Sequence, residues 1–302
     1  MKIEDVKKLK LDGSVLGDRK KLWNAEVEML DYFISVCDKY DVKVYLVFGT
    51  MLGAVRHKGF IPWDEDIDVA VTREDFDKIC EFGPKEFKEP YFWQTALTDR
   101  NYFFRYGRLR RSDMLGVVKR MDKYEYNNGL FIDVFIIDDV PASLSQRKRI
   151  WRKSKYYELV LANYYHPYKA HKKVKLVSPI FRFIAKFGSY EKWYNKYLNS
   201  ILKPAKKKPS GLVTIWFDKT SIVKALPKED YLPGIEADFE GKKYLIPNNY
   251  DKVLSTEYGD YMRLPSEEER LKWHDGICIF SSEVSYKEFK EAYPKGYEEE
   301  GE

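Results

Sequence analysis

Cysteine is scarce. Cys37, Cys80 and Cys278 are odd in number, far apart and without a Cys-x-x-Cys spacing. That excludes a disulfide framework and a structural zinc site, and makes the three thiols small hydrophobes of the interior. Histidine is scarce too, and His166 and His171 lack metal-ligand spacing. No apolar run approaches the ~18 residues that a membrane-spanning helix needs. The charged stretch Met1 to Lys10 has no apolar segment of the kind that secretory signals carry. Neither an internal repeat nor a low-complexity tract is visible. The expectation is a globular, cytoplasmic chain, with room for peripheral contact at the inner membrane face. An apolar content of 44% over 302 residues suffices to bury the core of one large domain or of one domain carrying an insertion.

What the chain does have is an uneven charge. The net is only +5, but residues 141–210 hold 18 Lys or Arg against two acids, Glu158 and Glu191, a local +16. Tyr156, Tyr157, Tyr164, Tyr165, Trp193, Tyr194 and Tyr197 are interleaved among these bases. The block reads as a basic, mainly helical segment with three readings: a solvated insertion, a face for anionic lipid, or a face for nucleic acid.

Periodicity places the elements around it. Leu22, Ala25, Met29, Phe33 and Val36 recur at steps of three and four, which predicts an amphipathic helix over 18–40. Val42 to Phe48 reads as a strand. Gly49-Thr50 turns the chain and caps a short helix through Met51 to Arg56, aiming backbone N–H groups and a hydroxyl at one spot suited to an anion. A strand follows from about Asp66 to Val71, a helix from Arg73 to Phe82, and strands over 91–95, 103–111 and 114–119, with Ser112-Asp113 as a hairpin turn. Asn127-Asn128-Gly129 launches a buried strand, Leu130 to Ile137, holding one carboxylate, Asp133. Lys203 to Pro209 reads as an exit linker. The remainder returns to strand at 212–217, a hairpin at Glu240-Gly241, and a helix near 248–258. The fold class is α/β with a mixed sheet. Its parts are a catalytic core over 1–140, the basic insertion over 141–210, and a segment over 211–302 that completes the core and the site.

The chemistry concentrates in Trp63-Asp64-Glu65-Asp66-Ile67-Asp68-Val69. Residues two apart on a strand share a face, so Asp66 and Asp68 project side by side while Ile67 and Val69 enter the core. Two adjacent carboxylates repel, and keeping both ionised at the edge of a core is costly unless a cation sits between them. Mg²⁺ takes one or two carboxylates plus substrate phosphates. Asp133 supplies a third ligand, because an unpaired carboxylate in so apolar a strand costs dearly. Asp64 is expected to support these ligands, and Glu65 to face solvent. Arg56, His57 and Lys58 bring positive charge of the kind that phosphoryl transfer uses, with Arg108 and Arg110, on one strand face, as weaker candidates. Trp63 is the one aromatic singled out for its place beside the acids, and His274 could reach the site from the C-terminal part.

Gly49-Thr50, the run Gly53-Ala54-Val55-Arg56-His57-Lys58-Gly59-Phe60-Ile61-Pro62-Trp63-Asp64-Glu65-Asp66-Ile67-Asp68, and Phe131-Ile132-Asp133-Val134-Phe135 resemble the signature of the LicD family, which includes fukutin and the fukutin-related protein. The likeness covers roughly 20–140, with an echo in Ile246-Pro247, Tyr258-Gly259-Asp260-Tyr261-Met262 and Pro265; residues 141–235 show no family pattern. The resemblance implies a nucleotidyltransferase-like fold that uses Mg²⁺ or Mn²⁺ and a CDP-linked alcohol donor. It implies transfer of a phospho-alcohol, with phosphocholine from CDP-choline the first choice. The acceptor would be a sugar hydroxyl of a glycan or glycolipid precursor (teichoic acid, lipopolysaccharide or capsule), and CMP would leave. Carried over by position, Asp66 and Asp68 become paired metal ligands and Asp133 the third acid and the group that orients or deprotonates the hydroxyl, with His57 second; Arg56 and His57 would contact phosphate. For such an enzyme the basic block suits anionic lipid or polyanionic glycan better than nucleic acid. The alternatives are a nucleotidyltransferase that releases pyrophosphate and a non-catalytic membrane- or RNA-binding protein on the same fold.

Overall fold

The structure, a computed structural model, describes residues 19–99, 101–118, 125–165, 172–207, 209–271 and 277–294. The first helix, α1 (Arg19–Asp38), buries Leu22, Ala25, Met29, Phe33 and Val36, the stripe that its spacing predicts. Then come β1 (Tyr45–Leu46), α2 (Phe48–His57), β2 (Asp68–Thr72), α3 (Arg73–Glu86), β3 (Tyr91–Gln94), β4 (Gly107–Val118) and β5 (Gly129–Val140). Three helices follow in the basic segment, α4 (Leu144–Ala162), α5 (Lys172–Ala185) and α6 (Tyr190–Lys207). The rest is β6 (Leu212–Ile215), β7 (Leu226–Pro227), α7 (Lys228–Tyr231), β8 (Ile235–Phe239), β9 (Lys242–Ile246), α8 (Tyr250–Tyr258), α9 (Glu267–Leu271), β10 (Ile277–Ser281) and α10 (Tyr286–Ala292).

All described strands join one mixed sheet in the order β10-β4-β5-β2-β1-β9-β8, with β3 on β4 and the β6-β7 pair on the end of β5. β2 runs parallel to β5 and β1 parallel to β9; the other pairs are antiparallel. β5 is the hub. It pairs with β4, β2 and β6 along its length, and its residues from Gly129 to Asp138 are all buried. The main core lies between this sheet and α1 and α3, around Met29, Phe33, Ile79, Trp93, Ile132 and Val134. A second core, built from Ile150, Val160, Trp193, Tyr197 and Ile201, joins the basic helices to Tyr102, Val140 and Trp216.

Four local expectations need correction. Ser112-Asp113 is not a hairpin turn: β4 runs through it, with a register shift between Arg111 and Leu115 against β5, because β3 holds its first half and β10 its second. Lys203 to Pro209 is not a linker, since α6 continues to Lys207, with Ile201 buried in the second core and Ala205 buried as well. β1 ends at Leu46, and α2 begins at Phe48 after Val47 with no side-chain cap, so Thr50 lies inside the first turn instead of preceding it. Glu65 is 5% exposed and does not face solvent; Arg19 lies 3.6 Å from its carboxylate.

Candidate active site

The parallel pairing of β2 with β5 sets Asp68 directly opposite Asp133. Asp66 precedes β2 on extended chain. One carboxylate oxygen from each of Asp66, Asp68 and Asp133 falls within 4.8 Å of the others, the first two residues half-buried and the third buried. The register is pinned on both sides. The Asp133 N–H donates to Ile67 O at 2.9 Å, and the Asp68 N–H donates to the Thr50 hydroxyl at 2.8 Å. Thr50 is thereby a positioning residue for β2, and its hydroxyl oxygen is spent on the backbone. Gly49 is needed for another reason: a Cβ there would sit 2.6 Å from Asp64 Oδ2, so only glycine lets the Asp64 carboxylate reach the first turn of α2.

α1 clamps the loop that carries the acids. Arg19 Nη1 donates to Pro62 O at 2.8 Å and Trp23 Nε1 to Asp64 O at 3.0 Å, while Trp23 stacks on Phe60. The crowding shows in the electrostatics. Burial, reinforced by neighbouring acids, pushes Asp64 and Glu65 up to about 7. Asp66 and Asp68 are also raised well above the ordinary value, first by burial; Asp64 and Asp133 add to the rise at Asp66, and Asp66, Asp133 and Asp64 at Asp68, with Arg108 opposing at both.

Asp133 itself is not the unpaired carboxylate that the apolar strand suggests. Arg108, its partner across β4 and β5, grips it with both arms, Nε on Oδ1 and Nη2 on Oδ2 at 3.1 Å. The guanidinium carbon sits over Phe131, 3.9 Å from the ring centre. Arg108 therefore holds an acid, and its Nη1 is buried without a hydrogen-bond partner. Arg110 is consumed structurally by Gln94 Oε1 and Gly129 O.

Beneath the cluster lies Glu26 on α1, fully buried, with neither carboxylate oxygen bonded. Burial raises its pKa well above the ordinary value, and Asp66, Asp64, Asp68 and Glu65 add to the rise. Sequence reading missed it, although a signal existed: Glu26 is four residues after Leu22 and three before Met29, on the apolar stripe. Tyr258, at the end of α8, feels the same acids, which together with burial raise its hydroxyl pKa.

The basic triplet does not converge on the acids as a unit. Arg56 donates to Tyr261 O at 2.7 Å and to His57 Nε2 at 3.0 Å, tying α2 to the segment after α8. Burial and Arg56 lower the pKa of His57. Lys58 is exposed in a left-handed conformation at the end of α2, where its carbonyl accepts from the Glu240 N–H of the β8-β9 hairpin. Trp63 is half-buried between His57, edge-on, and Arg270, whose guanidinium sits 4.1 Å over the ring. Arg270 was not foreseen. His274 lies outside the described residues.

A second unforeseen feature is aromatic. Phe135 follows Asp133 by two residues on β5 and shares its face. Phe48 packs edge-on to Phe135 at 5.1 Å, and Phe217 does so at 5.5 Å while remaining 55% exposed. Phe48 opens α2 with a positive φ of 47°, a conformation that non-glycine residues seldom adopt and that tends to mark functional sites.

The donor set fits a hard divalent cation: among the described residues three carboxylates converge with Arg108 as the cation that opposes their raised pKa values, and the unpartnered Glu26 adds negative charge from behind. Asp133 keeps lone pairs beyond those taken by Arg108. Such a centre, next to an orphaned guanidinium N–H, can bind a diphosphate.

Comparison with known proteins shows what part of the chain is similar to. Residues 41–179 match the LicD/FKTN/FKRP nucleotidyltransferase domain. The chain contains a LicD-family domain. The lipopolysaccharide cholinephosphotransferase LicD of Haemophilus influenzae is 28% identical over 249 residues, 82% of this chain and 92% of that protein. The mouse ribitol 5-phosphate transferase FKRP is 27% identical over 113 residues, 36% of this chain and 19% of that protein. An uncharacterized Rickettsia prowazekii protein is 29% identical over 134 residues, 44% of this chain and 45% of that protein. The LicD match spans α2, β2, β4 and β5, and so takes in Asp66, Asp68, Asp133 and Arg108; Glu26, Phe217, Tyr258 and Arg270 lie outside it.

Proposed function

We propose that this LicD-family chain transfers a phospho-alcohol, phosphocholine first, from a CDP-linked donor to a sugar hydroxyl of a glycan precursor. The observation that carries the reading is the convergence of Asp66, Asp68 and Asp133 within 4.8 Å beside a buried, unspent Arg108 N–H. The likeness to a lipopolysaccharide cholinephosphotransferase over most of both chains supports the transferred group and the kind of acceptor. Likeness to a ribitol 5-phosphate transferase supports the wider class, phospho-alcohol transfer.

Asp66, Asp68 and Asp133 would hold Mg²⁺ or Mn²⁺, which when bound neutralises phosphate charge and favours the leaving nucleotide. Arg108 fixes the Asp133 carboxylate, and its buried guanidinium lends positive charge to the diphosphate site. Asp133 accepts or orients the proton of the acceptor hydroxyl; His57, the second candidate, would first have to release the Arg56 N–H that its Nε2 accepts. The hydroxyl oxygen bonds to the phosphorus that bears the alcohol, the bond from that phosphorus to the bridging oxygen breaks, and CMP departs. Phe48 and Phe217 form an aromatic wall on the same side, suited to the cytosine face of the donor.

The test is CMP release from separate CDP-choline, CDP-ethanolamine, CDP-glycerol and CDP-ribitol with Mg²⁺, with and without a cell-envelope glycan fraction. Release from one donor names the transferred group. Pyrophosphate release from a nucleoside triphosphate instead would move the assignment to a nucleotidyltransferase. Absence of both, with no nucleotide binding, would leave a non-catalytic protein on this fold.

A further inference from the structure

The face of α5 that turns away from the protein is apolar. Leu176, Ile180, Phe183 and Phe187 are 86%, 60%, 61% and 64% exposed. Leu176, Ile180 and Phe183, at spacings of four and three on a helix turning 100° per residue, fall within an arc of about 60°, and Phe187 follows in the turn after Ala185. The opposite face anchors the helix: Ser178 and Ala185 are buried, Phe181 and Ile184 pack on the second core, and the Ser178 hydroxyl bonds Asn163. The exposed stripe therefore belongs to a docked helix with two apolar sides. A contiguous apolar patch of this kind, left in water, marks a docking surface.

Its surroundings say what docks. Arg182 and Lys186 are exposed beside the stripe, and Lys172, Lys173 and Lys175 lie in the first turns of α5. On α4, Arg149, Arg152 and Lys153 share the exposed side of Tyr156, and Tyr156 touches Phe181 of α5. The local charge over 141–210 is +16. A second copy would bring the same positive field and repel; an anionic bilayer complements both the charge and the stripe. On α5 the stripe from Leu176 to Phe183 is about 10 Å long, a third of a bilayer core, so α5 would lie in the interface and not cross it. Among the described residues no helix is long and apolar enough to cross a membrane.

We propose that α5 is an interfacial anchor that seats Leu176, Ile180, Phe183 and Phe187 among the acyl chains of an anionic lipid surface, with Arg182, Lys186 and the bases of α4 at the headgroups. The surface carries this inference whatever reaction the acids perform.

The experiment is flotation of the full chain with vesicles of phosphatidylcholine alone and of phosphatidylcholine with one quarter phosphatidylglycerol, for the wild type, Leu176→Ser/Phe183→Ser and Arg182→Glu/Lys186→Glu. All four positions are exposed, so melting temperature and its response to Mg²⁺ serve as fold and site controls. Wild-type binding to the anionic vesicles only, weakened about tenfold or more by either double variant with an unchanged melt, supports the anchor. Anionic binding that persists in the serine variant overturns it, as does absence of binding by the wild type. A wild-type dimer in sedimentation equilibrium that the serine variant splits, without lipid binding, would assign the stripe to a contact between copies and overturn the lipid assignment.

Discussion

Asp68 and Asp133 face each other across adjacent parallel strands, but only Asp133 has a built-in cation, because Arg108 faces it from the other side. The two acids thus meet opposite demands. Removing Asp133 strands a buried guanidinium, whereas removing Asp68 relieves repulsion. In metal-free protein, Asp133→Asn should cost about 3–5 kcal/mol of stability, the usual penalty for breaking a buried pair. Asp68→Asn and Asp66→Asn should melt at or above the wild-type temperature. All three should lose CMP release by about a thousandfold or more, since the charge they present to the diphosphate is lost. Chemical denaturation and a turnover assay on the same samples check this; a strongly destabilised Asp68→Asn would sink the claim that the cluster is repulsive.

The raised carboxyl pKa values give a pH signature. A carboxyl that titrates higher in the folded than in the unfolded chain holds its proton in the folded state, so stability falls as pH climbs from the ordinary carboxylate range through the raised value. For Asp64 and Glu65 that window runs from about 4 to about 7. The metal-free protein should therefore lose stability between about pH 4 and pH 7. Mg²⁺ or Mn²⁺, binding the deprotonated acids, should restore it, with a thermal shift that grows over the same window. Scanning calorimetry at four pH values with and without the cation measures it. No cation effect at pH 8 would refute the metal centre.

Legibility in the sequence followed local rules. The stripe of α1 and the buried β5 are short-range patterns that stand where periodicity puts them, while of the Asp-x-Asp pair Asp68 opens β2 and Asp66 precedes it. What escaped depended on partners distant in sequence. Arg108 and Asp133 are 25 residues apart, and nothing in either segment says that a register will join them. Arg56 bonds a carbonyl 205 residues away, so its spending on the closing segment was invisible. The run through Ser112-Asp113 looked like a turn because polar pairs usually are; two flanking strands overrode that preference. Glu26 was legible in principle, as a charge on an apolar stripe, and was passed over because the stripe around it is so regular.

Glu26 carries its own prediction. A fully buried carboxyl with neither oxygen bonded is costly, and replacing such a group by an apolar one of similar shape stabilises by about 1–3 kcal/mol. In metal-free buffer Glu26→Met should raise the melting temperature, and more at pH 8 than at pH 5, because the penalty grows as pH rises past the ordinary carboxyl range. If Glu26 also adds to the field at the acids, the same variant should need more Mg²⁺ for half-maximal turnover. A melt lower than wild type at both pH values would show that Glu26 has a stabilising partner in solution.

Phe217 separates binding from chemistry. It is 55% exposed, beside Phe48 and Phe135, while Phe135 is 3% exposed and cannot receive a ligand. Along β5, Phe135 is about 7 Å from Asp133 on the same face, so Phe217 stands where the nucleoside end of a diphosphate at the acids would lie. Stacking of a base on an aromatic ring contributes about 1–3 kcal/mol. Because the cytosine takes no part in bond making, that energy should appear in KM and leave kcat nearly unchanged. Phe217→Ala should raise the donor KM between about fivefold and a hundredfold, and Phe217→Trp should restore it. A loss confined to kcat would place Phe217 against the reacting phosphate or the acceptor, and the wall would then serve a different part of the substrate.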